Sequence, residues 1–211
     1  MEKLSDVVCK SFTENSPYVK PYHMFFVQDG RKRRWDLLKL HDSVAILIFN
    51  VTRQVLVLVK QFRPAVYLSN VQDEDKVLEK HIDTSKYPAE LGLTIELCAG
   101  IVDKNKTLEE IACEEVDEEC GYTVQPADLQ KIVCYRSGVG ASGDKQTVYY
   151  VEVTDKMRTS KGGGNLDEGE LIEVIEMSIE EAKEYMKRED VLSPGGFLFA
   201  LTWFFHMKNI K

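Results

Sequence analysis

No stretch of this sequence stays apolar for the ~18 residues that a membrane-spanning helix requires. A helical span is therefore excluded, and no membrane partner is expected. The opening residues, MEKLSDVVCKSF, lack the charged-then-apolar pattern of a secretory signal. Cysteine is sparse: five residues, an odd number, with none in a CxxC pair. That argues against a disulfide framework and against a thiolate zinc site, and it suits a reducing compartment. The expected location is cytoplasmic. Basic charge is also short, with 27 Lys and Arg against 35 Asp and Glu, a formal net charge of −8. That balance argues against bulk electrostatic affinity for nucleic acid, and no such partner is expected.

What is present is enough for an ordinary core: 211 residues, 44% hydrophobic and 29% charged. The length points to one domain, or to one domain with a small appendage. In YVKPYHMFFVQDGRKRRWDLLKL, Asp29-Gly30 is a turn between two strand-like runs, a hairpin signal. Arg31–Arg34 beside it reads chiefly as a solvated hairpin tip, with an anionic partner as the alternative. SVAILIFN and QVLVLVKQF are apolar and β-branched, a buried strand pair. Residues 67–91 are polar and weakly patterned and read as a long, mobile loop. TIELCAG, KIVCYRS, KQTVYYVEVT and LIEVIEMS read as further strands, SIEEAKEYMKRED and GGFLFALTWFFHMKNI as helices, and SKGGGN as a flexible connector. Mixed helices and strands predict an α/β or α+β sandwich.

The clearest helix runs from Thr107 to Gly121. Thr107 with Glu110 three residues on forms a capping box, Leu108, Ile111, Ala112 and Val116 make an apolar stripe, and Gly121 supplies the stop. Within it, CEEVDEEC carries five carboxylates in eight residues and no basic residue. Like charges at helical spacing repel. Glu115, Glu118 and Glu119 fall at i, i+3 and i+4 and share one face. Three hard oxygen donors without histidine or thiolate suit Mg²⁺ or Mn²⁺. On this pattern alone, a solvated acidic surface is slightly favoured over a metal site.

Context separates the two. From Gly100 to Gly121 the chain reads GIVDKNKTLEEIACEEVDEECG, and Tyr122 follows. This resembles the Nudix box, a glycine, five residues, Glu, seven residues, then REUxEExGU with U a bulky apolar residue. Glu115, Val116, Glu118, Glu119, Gly121 and Tyr122 stand at pattern positions with no gap. Two positions depart: Lys106 replaces the pattern's Glu, and Glu114 replaces its Arg. In the family those two form an ion pair that holds the loop, so here the pair is either reversed or lost. VLVLVKQFRPAVY, IELCAG, YRSGVGASGDKQTVYY and DEGELIEVIEM extend the resemblance over 43–177, and it is nearest to the nucleotide-sugar branch of UDP-glucose pyrophosphatases.

The resemblance implies a Nudix α/β/α sandwich with a mixed sheet over 43–211, preceded by a small β-rich N-terminal domain over 1–42 that serves dimerisation and substrate. It implies a homodimer and Mg²⁺-dependent hydrolysis (Mn²⁺ as substitute) of the diphosphate bridge of a nucleotide sugar, UDP-glucose to UMP and glucose 1-phosphate. The alternatives are an ADP-ribose pyrophosphatase and a catalytically weak nucleotide-binding or interaction module. Metal ligands are expected from Glu115, Glu118, Glu119 and the Ala99 carbonyl. Glu119, Glu115 and Glu170 are the expected catalytic groups, Glu170 as base or as an ordinary charge at a strand mouth. Substrate contacts are expected from Arg63, Glu96, Trp35, Ser137 and Gly138. For Arg63 the competing reading is a structural ion pair with Glu96, for Trp35 a core or interface tryptophan, and for the Ser137–Gly140 loop a tight turn.

Overall fold

The computed structural model describes residues 3–13, 15–165 and 169–209. Its first sheet is a two-stranded hairpin, β1 (Lys20–Gln28) and β2 (Arg31–Lys39), paired so that Gln28 faces Arg31 across the turn. Asp29 and Gly30 both take positive φ, 51° and 75°, which the two-residue turn requires and which Asp-Gly accepts readily. Almost every side chain of this hairpin is exposed, including Phe25, Val27, Met24 and Trp35.

The second sheet has seven strands: β3 (Ser43–Asn50), β4 (Val55–Phe62), β5 (Leu93–Glu96), β6 (Cys98–Ile101), β7 (Gln130–Arg136), β8 (Lys145–Val153) and β9 (Ile172–Ser178). The order β5-β4-β3-β8-β7 is joined by β6 on β3 and β9 on β4. The β3–β8 pair is parallel and the remaining pairs are antiparallel. β3 is central and continuously apolar because both of its faces are covered. One face packs Val44, Ile46, Ile48 and Tyr149 against Ile111, Ala112 and Val116 of α2 (Leu108–Cys120). The other packs Leu47, Phe49 and Leu58 against α3 (Ile179–Met186) and α4 (Gly195–Met207). This is the expected α/β/α sandwich with a mixed sheet.

α2 forms as its sequence dictates. The Thr107 hydroxyl accepts from Glu110 N–H at 3.2 Å and the Glu110 carboxylate accepts from Thr107 N–H at 2.8 Å. Gly121 closes the helix at φ 75°, where a Cβ would collide with the Ser160 carbonyl. The strand TIELCAG is divided, with Leu97 between β5 and β6, so that β5 pairs with β4 and β6 with β3.

Two expectations are corrected. Residues 67–91 are largely a loop, as expected, but a packed one. After α1 (Pro64–Ser69), Tyr67, Val71, Ile82 and Tyr87 form their own buried cluster, capped by Leu4 and Val7 from the N-terminal segment. The Ile82 N–H donates to the Val7 carbonyl at 2.9 Å, and the Tyr67 hydroxyl donates to the Tyr87 carbonyl at 2.7 Å. The apolar residues of this stretch are too irregularly spaced to show a period, yet they converge once the N-terminal segment lies across them. The SKGGGN connector is also held. Gly163 and Gly164 N–H donate to the carbonyls of Glu119 and Glu118 at 2.8 and 3.1 Å, satisfying the open end of α2.

Candidate active site

The C-terminal half of α2 lies against β6, which places Glu119 under the backbone of Ala99. The Ala99 N–H donates to Glu119 Oε2 at 2.9 Å. Glu119 is only 2% exposed. Burial pushes its carboxyl up to about 8, and the nearby charges of Glu115 and Glu170 push the same way, against the Ala99 N–H and the Cys98 thiol. Glu115, one turn earlier, is also buried and approaches Gly100 so closely that a Cβ there would collide with its carboxylate. Gly100 is thus required by space. Glu118 is exposed at the rim of the same helix.

Among the described residues, no group of three acidic, histidine or cysteine side chains already converges in the geometry of a metal ion. The donor chemistry nevertheless fits a hard divalent cation. Two buried carboxylates one helical turn apart and a third at the rim concentrate negative charge where burial alone disfavours it, and a cation would relieve that.

Arg63 lies between β4 and α1, as the residue before the helix. Its Nε and Nη2 donate to the two oxygens of Glu96, each at 2.7 Å, a bidentate fork. Those hydrogen bonds raise Arg63 above its ordinary value despite its partial burial, with the charges of Glu119 and Glu170 adding. Burial works against the charged form of Glu96, but Arg63 outweighs it and holds the carboxyl below its ordinary range. The Arg63 side chain keeps 45% of its surface exposed, facing a cavity of about 630 Å³ that Ser137 and the start of α4 also line. Glu96 is 7% exposed and fully engaged by its neighbours, so it supports Arg63 rather than offering a free acceptor to a ligand.

Glu170 precedes β9. Its Oε2 accepts from the Asn165 N–H at 2.9 Å, and its side chain leaves no room for a Cβ on Gly164, the residue bonded to the Glu118 carbonyl. Glu170 is close enough to Glu119 for its charge to act on that carboxyl. In the Ser137–Gly140 loop, the Gly138 carbonyl accepts from the N–H groups of Ala141, Ser142 and Gly143. A Cβ on Gly138 would collide with Ser142 Oγ. Trp35 docks on this loop. Its indole N–H donates to the Gly140 carbonyl at 2.7 Å, and Leu38 N–H donates to Ala141 O at 2.9 Å. Trp35 is thus no core residue: it is 46% exposed.

The two departures from the family pattern meet each other. The Lys106 ammonium pairs with Glu114, and Lys104 joins at 3.5 Å. Hydrogen bonding to Lys106 draws the Glu114 carboxyl below its ordinary value. Of the two alternatives open from sequence, the reversed pair is the one formed. Sequence reasoning missed Lys104, and also Thr94, whose hydroxyl donates to Glu96 Oε1 at 2.6 Å. The Thr-x-Glu alternation in TIELCAG placed both on one strand face and was a usable signal.

No family model matches the chain. It is 43% identical over 218 residues to the uridine diphosphate glucose pyrophosphatase NUDT14 of Mus musculus, covering 97% of this chain and 96% of that one. To the protein of the same name from Bos taurus it is 44% identical over 203 residues, 90% and 89% of the two chains. A GDP-mannose pyrophosphatase of Salmonella arizonae is 30% identical over 169 residues, 80% of this chain and 75% of that one. With a capped acidic helix that buries two carboxylates against the sheet, and with relatives that match almost end to end, the chain belongs to the Nudix hydrolase family.

Proposed function

We propose that this protein hydrolyses the diphosphate bridge of UDP-glucose, releasing UMP and glucose 1-phosphate, with Mg²⁺ as cofactor and Mn²⁺ as a substitute. The observation that carries the reading is the near full-length similarity to proteins named for UDP-glucose, on a chain with buried helix carboxylates and a guanidinium fixed by Glu96. Glu115, Glu118, Glu119 and the Ala99 carbonyl would hold the cation. When bound, it neutralises diphosphate oxygens and lowers the pKa of a coordinated water.

The protein's own groups supply position and charge. Arg63 offers the N–H groups that Glu96 leaves unused to one phosphoryl group, in a fixed plane. Glu170, held by the Asn165 N–H, would accept the proton of the attacking water. Trp35, pinned through its indole N–H, offers a half-exposed ring to a nucleobase, and Ser137 and Gly138 border the cavity or its loop on the sugar side. Residues 1–42 act as a dimerisation and substrate-contacting unit, the assembly is a homodimer, and its location is cytoplasmic. Among the described residues, no helix is long and apolar enough to cross a membrane.

Release of phosphate from the products by an added phosphatase, with UDP-glucose, GDP-mannose and ADP-ribose each tested with and without Mg²⁺, decides the matter. UDP-glucose should give the highest kcat/KM and EDTA should abolish it. Preference for ADP-ribose would overturn the substrate, and no turnover of any of the three would leave a binding module.

A further inference from the structure

Thr94 lines the same cavity as Arg63, on β5, opposite Gln61 of β4. It is buried, and its hydroxyl does two things: it donates to Glu96 Oε1 at 2.6 Å and sits 3.3 Å from the Gln61 carbonyl. Glu96 Oε1 also receives Arg63 Nε, and Oε2 receives Nη2. The carboxylate is therefore fixed on three sides by named donors, and the guanidinium is fixed by the carboxylate. Among the described hydrogen bonds, the Arg63 guanidinium uses no other partner, so Nη1 and the second hydrogen of Nη2 remain directed away from Glu96. The exposed part of the side chain opens on the cavity of about 630 Å³.

Glu96 cancels most of the formal charge that Arg63 would bring to a phosphate. What survives is direction: a planar pair of N–H donors in a set orientation. Such a site gains little from bulk charge and much from alignment, so whatever fixes Glu96 matters to the ligand. We propose that Thr94 is a positioning residue for the reaction, acting through Glu96 to hold Arg63 in the orientation that receives a phosphoryl group of the nucleotide sugar. Glu96 belongs to the same relay and does not itself contact substrate. The proposal rests on the reading above that Arg63 meets a phosphoryl group. It goes beyond that reading in assigning a role to a hydroxyl that no part of the site chemistry had required.

The test is a double-mutant cycle with Mg²⁺ and UDP-glucose, reading kcat and KM separately. Thr94→Val keeps the shape and removes the donor. It should lower kcat/KM by roughly tenfold, the scale expected for loss of a hydrogen bond to a charged group, with most of the change in KM. Thr94→Ser, which restores the hydroxyl, should recover most of the loss. In an Arg63→Ala background, Thr94→Val should cost nothing further, because the group it positions is gone. If the two losses multiply instead, Thr94 acts elsewhere and the proposal fails. Equal kcat/KM for Thr94→Val and wild type would also reject it. If Arg63→Ala alone has no effect, the underlying reading of Arg63 is what has failed. Should Thr94→Val not fold, Thr94→Ala against Thr94→Ser gives the same comparison.

Discussion

Glu119 shows how burial and function meet in one side chain. Its carboxyl is displaced from its ordinary value of 4.5 to about 8, chiefly by burial. The folded metal-free protein thus holds a proton that the unfolded chain releases. That contribution to stability is complete below pH ~4.5 and is lost as pH rises through about 8. In EDTA, the melting temperature should therefore fall from pH 5 to pH 8, and saturating Mg²⁺ should remove or reverse the trend. A flat profile in EDTA would contradict the burial argument. Glu119→Gln keeps size and drops the charge, so it should abolish turnover without lowering the melting temperature in EDTA. Near wild-type activity in that variant would rule out a metal-binding role. The Lys106–Glu114 pair is exposed enough that its stability contribution should be below about 1 kcal/mol. Its effect belongs in activity: Lys106→Glu sets two anions together and should depress kcat. Adding Glu114→Arg should recover much of that loss. A coupling of zero between the two positions would mean the pair does nothing for catalysis.

At the scale of elements, α2 is held at both ends by different means. Its start is a capping box made by Thr107 and Glu110, a local device, and Thr107→Ala should cost about 1 kcal/mol in denaturant unfolding. Its end is held from a distance. The Gly162–Gly164 run wraps back so that amides reach the carbonyls of Glu118 and Glu119. Gly162 has φ 68° and no space for a side chain, since a Cβ would strike the Glu119 carbonyl. Gly162→Ala should therefore move the very turn that carries Glu119. Loss of activity larger than the loss of stability would accord with this, while an unchanged kcat/KM would show that the run does not set the position of Glu119. The same run lies beside Glu170, so one segment borders both the helix carboxylates and the residue proposed as base.

In the whole molecule, the hairpin of β1 and β2 is the part least explained by the single chain. Two strands alone are marginal in water, yet this pair leaves Tyr22, Met24, Phe25, Val27 and Trp35 substantially exposed. Its contacts with the sandwich include the Trp35 and Leu38 bonds to the Gly140–Ala141 loop. A second copy that covers this surface is the economical solution, in keeping with the proposed homodimer. Phe25→Asp should then shift the sedimentation coefficient from dimer to monomer. A wild-type protein that sediments as a monomer at micromolar concentration would refute the assembly. Trp35→Ala should raise KM by about tenfold with a smaller change in kcat, on the scale of base–aromatic stacking. If KM holds and the dimer dissociates, Trp35 serves the interface instead.

The features readable in the chain are those governed by short-range rules. The Asp29-Gly30 turn, the capping box at Thr107, the stop at Gly121 and the acidic face of α2 follow from hydrogen bonding and periodicity within a few residues. They locate the helix and its carboxylates without any fold. Burial of Glu115 and Glu119, in contrast with Glu118, depended on how α2 lies on β6. The ordered cluster of 67–91 depended on a segment more than fifty residues earlier closing over it. The fork from Arg63 to Glu96 crosses 33 positions and the bond from Trp35 to Gly140 crosses 105. No local period encodes such pairs. They exist because burying one continuous core offsets the entropy of closing long loops, and only the packed chain selects which groups then meet.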